Sequence, residues 1–377
     1  MSKIIVPAAK VKQGDLTLYT TSLKVSDLLS RNFYSIERLD PNNQNSGYQR
    51  VLNETRAKRL AKYLISGLDA GDSFIPTSIF MATDKELKFY PENNTLEIDV
   101  SEIGPFSIVD GQHRVEGFRI AATEDKRIEE FEIPVNIAVS LSGLAQMAHF
   151  LIVNTTQKSV DQGVSQQILA RLTDTLMTEE LPTIPDWIMR AVEKGDNGKA
   201  LSFVHYMNTN DKSPWFGKIK MANDEDASGT INQATAVKTI IKFILVANNP
   251  LLEQEAKLQN AVFTNYWQAI TDLINPNEQT TLYKSVGFEQ FSQFFVPFIS
   301  HILSKHGKKL TIDLMKNIMR EVFENMEGDG IGIGTSDFWD IGGKAGKYNT
   351  AGRSQITKNM VQVLAKTLIN DDEGIEI

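Results

Sequence analysis

The chain has 377 residues, and at roughly 150 residues per domain that length allows two or three domains with at least one well-buried core. Hydrophobic residues make up 41% and charged residues 23%, which excludes a disordered chain, and no apolar run approaches the ~20 residues of a membrane span. Zero cysteines exclude disulfides, thiolate metal sites and thiol nucleophiles, while 39 basic against 47 acidic residues, a net charge of −8, excludes wholesale coating of nucleic acid and leaves local basic faces open.

The N-terminal stretch MSKIIVPAAKVKQGDL has too short an apolar run for a signal peptide, so a cytoplasmic address is expected. From about residue 17 to 160 the pattern alternates between periods of two and 3.6, the signature of mixed strands and helices. NETRAKRLAKYLISG reads as a helix capped by Asn53, with Ala57, Leu60, Ala61 and Leu64 on one face and Gly67 at its end. FIPTSIFMA and TLEIDV read as strands separated by a polar stretch from Asp84 to Asn94. PFSIVDGQHRVEGFRIAA passes from a strand through Asp110-Gly111 into a helix bearing Val115, Phe118 and Ala122. IPVNIAV places Ile133, Val135, Ile137 and Val139 on one strand face, and Ser142 caps a helix lined by Leu144, Met147, Ala148 and Leu151. Beyond Asn154 the pattern is mostly helical, in the segments VSQQILARL, PDWIMRAVEKG, INQATAVKTIIKFILVANN, EAKLQNAVFTNYWQAITDLI, FEQFSQFFVPFISHIL and TIDLMKNIMREVFENM. A glycine-rich basic segment, 328–353, then leads into a closing helix from Gln355 to Ile369. The tryptophans, Trp187, Trp215, Trp267 and Trp339, and the phenylalanine-rich run read as packing of the helical part or as a self-association surface.

The most informative motif is Asp110-Gly111-Gln112-His113-Arg114, between a strand and a helix. Its chemistry is anion capture: the glycine permits a tight turn, the first helical N–H groups favour a phosphate, Arg114 clamps phosphate oxygens and His113 donates a further hydrogen bond. Asp110 is placed to receive a ribose hydroxyl or to orient a water or metal. Spacing alone is equally compatible with a salt-bridged turn.

DGQHRVEGF, preceded by GYQR (Gly47 to Arg50) and followed by VNTTQKSV (Val153 to Val160), resembles the DGQHR-domain family and within it the DndB-like regulators associated with bacterial DNA phosphorothioation loci. That family is similar to the ParB/sulfiredoxin superfamily, whose N-terminal domain binds a nucleotide. The resemblance implies that Gly111 to Arg114 hold phosphates, that Asn154 and Gln157 face the nucleotide, and that Gln49 and Arg50 complete the pocket. Gln112 stands where sulfiredoxins have cysteine and where ParB proteins have a magnesium-binding glutamate, so thiol chemistry is absent and a role for Mg2+ stays open. Without the resemblance, Asn154 reads equally well as a helix cap.

For nucleic acid, Arg50 to Lys62 carries Arg50, Arg56, Lys58, Arg59 and Lys62 against Glu54 alone, and Gly343 to Lys358 carries Lys344, Lys347, Arg353 and Lys358 with no acid. Each is also the pattern of a solvated face or a lysine-rich loop. A third group, Lys212, Trp215, Lys218 and Lys220, is followed at once by Asp224, Glu225 and Asp226. No Walker loop, dinucleotide fingerprint, paired histidine metal spacing or serine-hydrolase elbow is present.

The expected architecture is an α/β (α+β) ParB/sulfiredoxin-like domain with a mixed sheet over 1–160, followed by a mainly α-helical domain over 161–377. The expected function is a nucleotide-responsive protein that binds double-stranded DNA and regulates a DNA-modification or defence locus, with a nucleoside triphosphate as ligand and no membrane contact. Partner modification proteins and a homo-oligomer are compatible with it. Two other classes stay open: a nucleoside triphosphate hydrolase or phosphotransferase with Asp110 as base, and a scaffold of a modification or restriction complex.

Overall fold

The computed structural model describes residues 3–40, 47–157, 162–176, 185–224, 229–327 and 332–370. The chain divides into two compact units, Met1–Glu193 and Lys194–Ile377. The described residues 162–176 and 185–193, read from the sequence as part of the helical domain, fall in the first unit.

The first unit is built on an eight-stranded mixed sheet. Its strands are β1 (Ile4–Gln13), β2 (Leu16–Lys24), β3 (Tyr34–Ser35), β4 (Ile79–Ala82), β5 (Lys88–Tyr90), β6 (Thr95–Ile98), β7 (Phe106–Asp110) and β8 (Glu132–Ala138). They lie in the order β3-β7-β4-β8-β2-β1-β6-β5. β3 with β7 and β4 with β8 pair in parallel, and the other neighbours are antiparallel. The alternation expected in β8 is present: Ile133, Val135 and Ile137 are fully buried. The polar stretch after residue 84 contains β5, whose three residues pair with β6.

Helices α1 (Val25–Leu28), α2 (Glu54–Leu68), α3 (Val100–Ile103), α4 (Gln112–Glu124), α5 (Gly143–Gln157), α6 (Gln162–Leu176) and α7 (Asp186–Lys194) complete this unit. α2 begins where expected because the Asn53 side chain accepts the Arg56 N–H at 2.9 Å. Gly67, expected to end it, lies within the helix. Ala61 and Leu64 of α2 and Val115, Phe118 and Ala121 of α4 join Ile79, Met81, Ile108 and Val135 of the sheet in one core. On α5 the buried stripe is Ala145, Ala148 and Leu151, while Leu144 and Met147 are half-buried.

The second unit is helical. It contains α8 (Asp196–Thr209), the short parallel pair β9 (Ile219–Lys220) and β10 (Ile231–Asn232), α9 (Gln233–Phe243), α10 (Ala256–Ile274), α11 (Ser285–His306), α12 (Ile312–Glu327), α13 (Ser336–Trp339) and α14 (Thr350–Asn370). Its centre is aromatic: the Trp215 and Trp267 rings meet edge to face at 5.0 Å, and Phe288 lies 4.8 Å from the first and stacks on the second at 6.0 Å. Phe288, Phe291, Phe294, Phe295 and Phe298 of α11 are all buried, so the aromatics read as a candidate self-association surface form the interior of this unit. Trp187, on α7 of the first unit, is 44% exposed. Of the glycine-rich segment 328–353, residues 328–331 lie outside the described residues, and the remainder folds onto the core through buried Phe338, Trp339 and Ala345. The Trp339 indole N–H donates to the Ile333 carbonyl at 2.8 Å, which fixes that segment as structure. Among the described residues no helix is long and apolar enough to cross a membrane.

Phe288→Ala removes the ring packed against both tryptophans and is expected to cost about 3–5 kcal/mol. Urea unfolding followed by tryptophan emission checks this, with a lowered midpoint and a red-shifted native spectrum as the expected result.

Candidate functional site

The site begins at the end of β7. Gly111 caps α4 at φ +109°, a left-handed conformation that favours glycine, and turns the chain directly from strand into helix. The N–H groups of Arg114 and Val115 both close on the Gly111 carbonyl, so the first-turn N–H groups of Gln112 and His113 remain as the open donors of α4. Arg114, one helical turn from Asp110, bonds its carboxylate at 2.7 Å through Nη2. The Arg114 Nε is buried and has no hydrogen-bond partner among the described residues. A buried guanidinium N–H without an acceptor is costly, and an anion in front of it removes that cost.

A cleft of about 850 Å³ opens at this turn. Gln49, Arg50, Arg56, Arg59, Asp110, Gly111, Gln112, His113, Arg114 and Asn154 all line it, so one cavity gathers residues from the GYQR, DGQHR and Asn-x-x-Gln segments and from α2. Among the described residues, four arginines there face a single carboxylate, Asp110, which is already bonded to Arg114. Arg50, Arg56 and Arg59 have no carboxylate within ion-pair distance among the described residues. The charge of such a cleft is complementary to a polyphosphate.

Residues 6–187, just under half of the chain, match the family model DndB, described as DNA-sulfur modification-associated. Over that region the chain is DndB-like. The match spans the cleft and the sheet from Val6 of β1 onward, and it connects the chain with DNA-sulfur modification. No curated protein and no solved structure matches the chain.

Within the DndB region the motif residues divide by task. Gln49 is 1% exposed, and its amide donates to the carbonyls of Ile108 and Val109, both at 2.7 Å, so it braces the end of β7. Gln112 is buried and donates to the Arg50 carbonyl at 3.2 Å, which ties the start of α4 to the arginine-bearing segment. His113 accepts the Asn53 N–H on Nε2 at 3.0 Å, leaving Nδ1 as its donor. Burial first, then the charges of Arg50 and Arg56, push its pKa down to about 4. Asn154 donates back to the Phe150 carbonyl of its own helix at 2.8 Å while lining the cleft. The side chain of Gln157 lies outside the described residues.

The donor set suits phosphate oxygens. The fit to a protein-held Mg2+ is poor, since the amide of Gln112 is spent on a carbonyl and the one carboxylate on Arg114.

Of the other basic residues singled out on α2, Lys58 pairs with Glu54 at 3.0 Å and Lys62 is exposed. In the second unit, Arg353 is held by Glu289 at 2.6 Å and bonds the Tyr348 carbonyl, so its charge is met internally, while Lys344, Lys347 and Lys358 are exposed. Trp215 is fully buried and Lys218 lies over the Tyr283 ring at 4.5 Å, so the third basic group has no ring to offer a ligand.

Tyr63, Thr77 and Phe150 also line the cleft, and Arg171 of α6 bonds the Gly47 carbonyl. None carries a local sequence signal: Arg171 is a lone cation in its helix, and its partner lies 124 residues away.

Two outcomes follow from this geometry. An alanine Cβ at Gly111 would sit 3.2 Å from the Arg114 guanidinium and in a left-handed conformation, so Gly111→Ala is expected to lose on the order of 1–2 kcal/mol, read from the thermal midpoint. Because the pKa of His113 is lowered from 6.5 to about 4, its contribution to stability is complete above pH 6.5 and is lost as pH falls toward 4, where the unfolded chain binds a proton that the folded chain refuses. Unfolding measured between those pH values is expected to show a steeper loss in the wild type than in His113→Gln, by up to one proton per molecule.

Proposed function

We propose that the chain is a nucleotide-responsive DNA-binding protein that regulates a DNA-sulfur modification locus, with a nucleoside triphosphate held in the DGQHR cleft. The observation that carries this reading is the convergence of Arg50, Arg56, Arg59 and Arg114 on the open N–H groups of α4, against one carboxylate. The family supports DNA as the partner. In this reading Gly111 lets the backbone approach the phosphates, Arg114 directs its buried Nε at one of them, and His113 donates from Nδ1. Asp110 holds Arg114 in place and faces the ribose.

Lys62, exposed on α2, extends the cationic surface beyond the cleft, while Arg56 and Arg59 within it belong to the same helix. Duplex DNA on this face contacts phosphates and not bases, so its affinity falls steeply with salt. Nucleotide binding changes the charge of α2 next to the DNA, which gives occupancy a route to the DNA equilibrium.

The test is calorimetric titration of nucleoside triphosphate into the full chain and into Arg114→Ala. The wild type is expected to bind and to unfold at higher temperature when loaded, and Arg114→Ala is expected to keep its fold and lose at least about tenfold in affinity, the loss of one charge-assisted contact. Unaltered affinity in the variant removes the proposed pocket. Release of phosphate that depends on Asp110 assigns the cleft to a hydrolase.

A further inference from the structure

A second and larger cleft, of about 1430 Å³, lies beside the first and shares Thr77, Asp110 and Arg114 with it. The Asp110–Arg114 ion pair is therefore a wall common to both. The second cleft has the opposite charge balance: Lys10 and Arg114 face Asp15, Glu86 and Asp110. His149, also in its lining, is held below its ordinary pKa by burial and is neutral near pH 7. A polyanion is favoured in the first cleft and disfavoured in the second.

The floor of the second cleft is a row across the sheet. Strand register aligns Asp110 of β7 with Phe80 of β4, Phe80 with Asn136 of β8, and Asn136 with Thr20 of β2. Asn136 is fixed at both ends, accepting from Thr20 and donating to Ser78, each at 2.8 Å. Phe80 stands apart from its strand neighbours. Ile79 and Met81 are fully buried in the core of this unit, whereas the half-buried Phe80 belongs to no part of that core and lines the cleft. A phenyl ring in mid-sheet that avoids the core, flanked by a fixed amide and a carboxylate, is suited to receive a flat ring with polar edges.

We infer that this second cleft is the nucleoside half of the ligand site: the base stacks on Phe80 beside Asn136, the ribose passes Asp110, and the phosphates continue past Arg114 into the arginine-lined cleft. The assignment rests on the phosphate reading of the first cleft and adds the ligand's direction and its recognition element. The charge contrast between the two clefts matches that of a nucleotide, neutral at the base and polyanionic at the phosphates.

The experiment compares inorganic tripolyphosphate with ATP, CTP, GTP and UTP on the full chain, in the wild type, Phe80→Ala and Phe80→Trp. Tripolyphosphate probes the first cleft alone. The wild type is expected to bind at least one nucleotide more tightly than tripolyphosphate. Phe80→Ala is expected to lose that advantage, on the order of tenfold for one stacked base, with tripolyphosphate affinity unchanged, and Phe80→Trp is expected to retain it. Equal wild-type affinity for tripolyphosphate and every nucleotide, or nucleotide affinity unmoved by Phe80→Ala, overturns the nucleoside site and leaves the phosphate cleft standing. A wild type that binds no tripolyphosphate overturns the phosphate cleft itself. If Phe80→Ala loses both ligands through misfolding, Phe80→Trp decides: nucleotide preference retained with a larger ring supports the stack, and preference abolished with tripolyphosphate affinity intact contradicts it.

Discussion

Like charges gathered in a cleft repel, and the first unit is organised around holding four guanidinium groups together with only one of them, Arg114, paired to a carboxylate among the described residues. The neighbouring polar groups position backbone and leave the cations open. Gln49 clamps the end of β7, Gln112 fastens α4 to the segment bearing Arg50, and His113 accepts from the first residues of α2. All three are neutral, since His113 is kept from protonating by burial and by the same arginines. The hydrophobic core beneath, where α2 and α4 meet the sheet, supplies the free energy that sustains the repulsion.

Much of this was legible in the sequence where the signal is local. The Asn53 cap, the alternation of β8 and the strand–Asp-Gly–helix turn each occupy a few consecutive residues, and each stands where the pattern put it. The mixed sheet followed by helices was legible for the same reason. What the sequence concealed is long-range. The resemblance put Gln49 and Gln112 in the pocket, and both line the cleft; that their amides also brace it shows only in partners 59 to 62 residues away. Arg353 read as a free cation until Glu289, 64 residues distant, met it. The second cleft had no signal at all, because Phe80 is one apolar residue in an apolar strand and only the fold shows that it leaves the core.

The aromatic interior of the second unit and the cationic cleft of the first are different kinds of structure. Interlocked rings such as Trp215, Trp267 and Phe288 resist small displacements, as densely packed cores do. The cleft, where among the described residues Arg114 Nε has no partner and three arginines have no carboxylate, is left in a state that a bound anion improves. The cleft lies within the residues that match the DndB model, described as DNA-sulfur modification-associated.

A phosphate site at the β7–α4 turn is tested most directly by a crystal structure of the full chain with a slowly hydrolysed nucleoside triphosphate analogue. The expected result is a phosphate oxygen within hydrogen-bond distance of the Arg114 Nε and of the Gln112 or His113 N–H. Phosphates bound elsewhere, with the Arg114 Nε still lacking an acceptor, would contradict it.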